Sequence, residues 1–354
     1  MPHKISGFLA QSVSFVTTEV GFVLGDIACP TGACFSLRQT TNRGASWTSV
    51  LPPPAALGES NYSEGPELHF ADALDGWAYG ATLWSTHDGA KQWREVNLGG
   101  TVFAMASGGG EVYALVEPCG SASACSASGG LYRSPVGQDS WTEVPGVSGR
   151  FVAGGYGLVV EDHSVFVSIA NPKPELLASS DGIHFVSLSV PCASAMDNGI
   201  GPFTIEAIAA SDPSDMSVLC VGTPSMGGEA ERAYLSRDGG HAFQSLPDPA
   251  VGFGGELAMP NPTTLLLAGG LPSGSWVYRN SASNGSWSKS IEFSDQGVGL
   301  SDLAFVDPSH GEFVHGPASL ALSFLNLPNP PSGLGEVYLT NDGGSDWYAL
   351  NIPA

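Results

Sequence analysis

Thr340-Asn-Asp342-Gly-Gly344-Ser-Asp-Trp347 is the stretch that decides the fold. A hydroxyl residue, an acid two places on, glycine and a closing aromatic make up turn chemistry. Asp tolerates tight turns and accepts nearby backbone N–H groups, Gly supplies positive φ, and the aromatic packs onto the strands it joins. Strand-like runs flank the turn, Glu336-Val-Tyr-Leu339 before it and Trp347-Tyr-Ala-Leu350 after it. The same order recurs at Ser236-Arg-Asp238-Gly-Gly240-His-Ala-Phe243, Thr40-Thr-Asn42-Arg-Gly44-Ala-Ser-Trp47 and Thr86-His-Asp88-Gly-Ala-Lys-Gln-Trp93. A shortened copy is Ser179-Ser-Asp181-Gly-Ile-His-Phe185, and two degenerate copies run from Ser134 to Trp141 and from Asn280 to Trp287, with Val136 and Ala282 where the acid belongs.

The seven closing aromatics, Trp47, Trp93, Trp141, Phe185, Phe243, Trp287 and Trp347, divide the 354 residues into units of about 50, enough for four short strands and their turns. The last unit reads as Leu303–Val306, Gly311–Val314, Glu336–Leu339 and Trp347–Leu350, and the second as Leu68–Ala71, Gly76–Tyr79, Thr82–Ser85 and Trp93–Val96. No segment sustains a 3.6-residue apolar period, so helix is nearly absent.

These turns resemble Asp boxes, the S/T-x-D-x-G-x-x-W/F motif of bacterial neuraminidase-type (BNR) repeats, and the resemblance covers nearly the whole chain. It implies an all-β fold, a single seven-bladed β-propeller with four-stranded antiparallel blades and one box turn between the third and fourth strands of each. The approximate blades are 11–51, 66–97, 101–145, 150–190, 204–247, 255–293 and 301–351. Asn42, Asp88, Asp181, Asp238 and Asp342 then carry structure and not catalysis. Proteins of this type include sialidases, photosystem II assembly and stability factors, sortilin-type receptors and two-propeller glucanases.

In such a propeller the box turns lie on one face and the longer connections on the other: Gly25–Phe35, Pro52–Pro66, Glu117–Gly130, Ser187–Pro202, Gly222–Arg232 and Gly316–Gly335. Long loops on a rigid scaffold are where binding usually resides. Aligning the first strand of each blade brings Ser12, Glu67, Val102, Arg150, Glu206, Glu256 and Asp302 to one level near the channel mouth on the long-loop face. Crowded carboxylates raise one another's pKa or recruit a cation. Glu67, Glu206, Glu256 and Asp302, with Arg150 and the loop aromatics Tyr62, Phe203 and Phe253, are the candidate ligand-binding residues. Solvated acids at a water-filled mouth are the plainer reading of the same pattern.

Of 46 charged residues 34 are acidic, a net charge of −22, which repels phosphate backbones and anionic headgroups and argues against nucleic-acid and peripheral membrane binding. No run approaches the roughly 18–20 apolar residues of a spanning helix. Six cysteines form sequence neighbours, Cys29 with Cys34, Cys119 with Cys125 and Cys192 with Cys220. Six cysteines allow fifteen connectivities, so sequential disulfides are an expectation and unrelated thiols the alternative. Disulfides would place the protein outside the cytoplasm, extracellular or periplasmic, although the first residues do not read as a signal peptide.

Sialidases of this fold clamp their substrate with three arginines, one in an FRIP-like segment. That segment is absent here, and Arg43, Arg133, Arg237 and Arg279 lie in or beside box turns. A hydrolase using two rim carboxylates stays open. There is no G-x-S-x-G elbow, P-loop, H-E-x-x-H or metal-ligand spacing, so no cofactor or metal is expected. The assembly factors dock other proteins through arginine clusters that this chain lacks. The reading is a non-catalytic, monomeric extracytoplasmic module for a protein or carbohydrate partner of polar or cationic character, with a sugar hydrolase or a structural cell-surface spacer as alternatives.

Overall fold

The computed structural model describes residues 7–30, 32–54, 66–118, 129–147, 155–170, 173–194, 203–222, 230–249, 253–281, 285–295, 298–317 and 333–354. The chain is a seven-bladed β-propeller. Each blade is one four-stranded antiparallel sheet built from four consecutive strands. The first two sheets are β1 (Phe8–Phe15), β2 (Gly21–Cys29), β3 (Gly32–Thr40), β4 (Thr48–Val50), then β5 (Glu67–Phe70), β6 (Asp75–Tyr79), β7 (Leu83–His87), β8 (Arg94–Val96). The third and fourth are β9 (Gly100–Gly108), β10 (Glu111–Pro118), β11 (Gly130–Pro135), β12 (Thr142–Glu143), then β13 (Tyr156–Glu161), β14 (Ser164–Ile169), β15 (Glu175–Ser179), β16 (Val186–Leu188). The fifth and sixth are β17 (Thr204–Ala210), β18 (Met216–Val221), β19 (Glu231–Ser236), β20 (Gln244–Ser245), then β21 (Phe253–Asn261), β22 (Thr264–Leu271), β23 (Gly274–Ser281), β24 (Trp287–Phe293). The last sheet is β25 (Leu300–Phe305), β26 (Gly311–His315), β27 (Glu336–Thr340) and β28 (Tyr348–Ala349). The helix among the described residues is one 3₁₀ turn, Pro191–Ser194.

Burial falls from the second strand of each sheet outward. All six residues of β14 and of β18 are buried, as the near-continuous apolar runs Val165–Ile169 and Val218–Val221 require of a strand covered on both faces, whereas β4, β8 and β16 are largely exposed. The chain forms two compact units, one of Met1–Asn97, Pro272–Trp276 and Ser290–Ala354, the other of Leu98–Leu271 and Val277–Lys289. In each, the core is a series of apolar layers between successive sheets. Phe22, Leu24, Leu37, Leu68 and Phe70 join the first sheet to the second, with the Phe22 and Phe70 rings stacked at 3.7 Å. In the other unit Tyr113, Leu115, Val165, Val167 and Leu177 join the third to the fourth, and Phe166, Leu176, Ile205, Ile208 and Met216 the fourth to the fifth.

The repeated turn has one hydrogen-bond scheme. In the last sheet the Thr340 hydroxyl donates to Asp342 at 2.8 Å and accepts the Gly344 amide, while Asp342 accepts the amides of Ser345 and Asp346. Thr86 with Asp88, Ser179 with Asp181 and Ser236 with Asp238 repeat the hydroxyl–carboxylate bond, and Asn42 accepts the Ser46 amide in the same way. The two residues after the acid take positive φ, +72° and +78° at Gly343 and Gly344, which is why glycine recurs there. Arg43 and Ala90 adopt the same region at +56° and +62° without being glycine. The closing Trp93 indole donates to the Leu51 carbonyl at the end of the preceding sheet, and Trp287 donates to Pro247 likewise.

Because every sheet is a consecutive quartet, the first and last sheets share no strand. Their junction is held instead by an apolar layer, Phe8, Ala10, Val13 and Phe15 against Val314, Val337 and Leu339, and by polar ties. Ala10 donates to the Gly335 carbonyl, Val13 to Asp302 and Phe15 to Glu312. Arg43 donates to the Thr340 carbonyl at 2.7 Å and to the Tyr348 hydroxyl at 3.1 Å, and Arg38 donates to the Pro353 carbonyl. The left-handed backbone at Arg43 thus carries a side chain that ties the junction. Gly335, at φ +67°, passes so close to β1 that a Cβ there would lie 2.7 Å from the Leu9 Cα.

Candidate functional site

The residues aligned by sequence lie on the first strand of their sheets wherever the structure describes them, and five of those strands carry a β-bulge close to the aligned level. The extra residue is Gln11 in β1, Phe103 in β9 and Glu206 in β17. In β21 the irregularity ends at Glu256, and in β25 it contains Asp302, whose φ is +59°. Glu67 opens β5, which is regular and pairs it with Tyr79. A bulge re-aims a side chain away from strict alternation, so these acids do not follow the simple in–out pattern of a strand. The strand expected to start at Leu303 begins at Leu300 and takes Asp302 into its bulge.

In the unit holding Ser12, Glu67 and Asp302, the aligned level has a structural task. The Asp302 carboxylate accepts the Val13 amide of the next first strand at 2.7 Å, and the Ser12 hydroxyl accepts the Leu68 amide of the one after at 3.0 Å. At these two junctions a side chain of one first strand therefore satisfies a backbone donor of the next. Asp302→Ala leaves the part-buried Val13 amide without its acceptor and is expected to destabilise by about 1–3 kcal/mol. Asp302→Ser, which copies Ser12, recovers part of that loss; urea denaturation of both variants measures it.

Glu206 and Glu256 belong to the other unit, on strands that pack side by side, β17 and β21. Both are partly exposed. Tyr62, Arg150, Cys119 and Cys125 lie outside the described residues, as does the side chain of Phe253. Phe203 is not a platform on a loop: it is 2% exposed, packed with Cys192, Ile205 and Cys220, and covered by the Arg232 guanidinium 5.8 Å from its ring centroid. A bulky ring directly before a strand and beside a disulfide is captured by the sheet core. Two of the sequential disulfides are present, Cys29–Cys34 and Cys192–Cys220, with Cα separations of 5.9 and 5.4 Å.

Four buried polar groups escaped the sequence reading. Asp26 on β2 is 1% exposed, its Oδ1 has no hydrogen-bond partner, and burial pushes its pKa up to about 6. Glu312 on β26 is 3% exposed, and burial pushes it up to about 8, with the neighbouring Asp302 charge adding to the effect. His315, on the same strand, and Asp295 are fully buried and face each other at 2.8 Å between Nε2 and Oδ2. A small open pocket beside Glu312 is lined by Phe15, Thr17, Thr18, Arg43 and His310 among others. Among the described residues no three His, Cys, Asp or Glu side chains are grouped to hold a metal ion, and no helix is long and apolar enough to cross a membrane.

No family model matches the sequence, and no curated protein matches it. Solved structures do. The chain is similar to YCF48 from Cyanidioschyzon merolae, with a TM-score of 0.58 and 15% identity over 97% of this chain and 98% of that one. It is similar to YCF48 bound to D1 peptide, with a TM-score of 0.56 and 14% identity over 95% of this chain and 93% of that one. The β-propeller domain of the trilobed protease from Pyrococcus furiosus, described as having an open velcro topology, gives a TM-score of 0.56 at 7% identity over 98% and 99%. At such identities what is shared is the fold, a seven-bladed propeller.

Proposed function

We propose that this chain is a non-catalytic binding or assembly propeller that takes a protein segment of basic character on its long-loop face, outside the cytoplasm. The observation that carries the reading is the likeness, over nearly the full length of both chains, to a propeller that holds a peptide. A net charge of −22 favours a cationic partner and speeds its encounter. The two disulfides support an oxidising compartment. Glu206 and Glu256, partly exposed on neighbouring strands, are the proposed contacts in their unit, and Glu67 serves in the other. A sugar hydrolase has less to draw on, since Asp302 already accepts a backbone amide.

Fluorescence anisotropy with extended peptides of equal length, one lysine- and arginine-rich and one acidic, tests this. The basic peptide is expected to bind, to weaken as salt rises, and to lose about tenfold in affinity when Glu206→Gln and Glu256→Gln are combined. Equal binding of both peptides, or of neither, rejects the reading.

A further inference from the structure

Strand β26 holds the junction of the first and last sheets at two points. At one, Glu312 lies opposite Ala304 in register, and its carboxyl reaches past that small side chain so that Oε1 accepts the Phe15 amide at 3.2 Å. At the equivalent contact between the first and second sheets the acceptor is a neutral hydroxyl, that of Ser14, which takes the Phe70 amide at 3.0 Å. The groups facing Glu312 are Asp302 of β25, Arg43 of the β3–β4 turn and the paired His310 and Asp307 of the β25–β26 turn. Arg43 is the counter-charge there, and it already donates to Thr340 and Tyr348.

At the other point the ring of His315 is stacked on Phe293 at 3.9 Å, with Nδ1 2.8 Å from the Gly333 carbonyl and Nε2 2.8 Å from Asp295. A carbonyl only accepts, so Nδ1 carries its hydrogen. Nε2 then either carries a second hydrogen toward an ionised Asp295 or accepts one from a protonated Asp295. Across the sheet His315 faces Glu336 of β27, which accepts the Tyr338 hydroxyl. The held ring fixes Gly333, and two residues on Gly335 donates to the His315 and Gly316 carbonyls and accepts the Ala10 amide. Glu312 thus secures one end of β1 and His315 the other.

We propose that the junction is a proton-held clasp, closed while Glu312 keeps its proton beside the Phe15 amide and loosened, β1 first, when alkaline pH removes it. The upward push on Glu312 sets the sign. A carboxyl with a folded value of about 8 and an ordinary value of 4.5 gives stability that is complete below the lower value and lost as pH climbs through the higher.

Hydrogen exchange followed by mass spectrometry, corrected for the intrinsic rate, tests this by comparing β1 with β17 of the other unit. Between about pH 6 and 9 protection of β1 is expected to fall about tenfold or more, with β17 little changed. Glu312→Gln, which cannot ionise yet keeps an acceptor for Phe15, is expected to shrink the fall. Protection of β1 that is flat with pH, or a fall that persists undiminished in Glu312→Gln, overturns the proposal. Should that variant not fold, equal falls of β1 and β17 in the unaltered protein overturn it.

Discussion

Phe313→Ala is expected to lower the stability of the protein by about 3–5 kcal/mol, the usual cost of emptying a buried aromatic site. Phe313 is fully buried, stacked on Tyr338 at 5.1 Å, edge-on to Phe293 at 6.1 Å, and packed on the closing Trp347 at 4.7 Å. The cavity is bounded by rings fixed from three directions: Tyr338 by its hydroxyl bond to Glu336, Trp347 by its indole bond to Ser290, and Phe293 by the His315 stack. None can slide in to fill it. Phe313→Leu keeps most of the volume and is expected to cost far less. The measurement is the shift in denaturation midpoint of the two variants, and equal shifts would mean that the rings do collapse onto the gap.

Asp295→Ala is expected to cost about 3–5 kcal/mol near neutral pH, because it strands a buried His315 whose two nitrogens both need partners. Asp295→Asn is expected to be much milder, because its amide can donate to an unprotonated Nε2. Thermal unfolding of the two variants measures both losses: an alanine variant as stable as the asparagine variant would show that the pair does little for the fold.

The architecture was legible because its signal is local. Thr340, Asp342 and Gly344 build their turn with bonds inside seven residues, so the same letters mean the same geometry at residues 40, 86, 179 and 236. The polar junction was not. Gly311-Glu-Phe-Val-His315 looks like a strand with solvent on one side, yet its buried glutamate holds the amide of Phe15, 297 residues away in sequence. Bulges were hidden as well, because a bulge is a mismatch between two strands and neither strand reveals it alone. Arg43 read as a stray base on a turn, yet its partners are Thr340 and Tyr348. Phe203 was misjudged in the opposite sense: a ring in a loop suggested a platform, and the nearby Cys192–Cys220 bridge draws it into the core.

Quartets of neighbouring strands also matter while the chain is being made. Each blade can complete its own ladder as soon as its stretch of about 50 residues has left the ribosome, and no early strand waits exposed for a partner synthesised last. What must wait is the face of the first blade that the seventh will cover. During synthesis Phe8, Val13 and Phe15 stand without Val314, Val337 and Leu339, so the nascent protein carries one sticky flank until its final blade emerges.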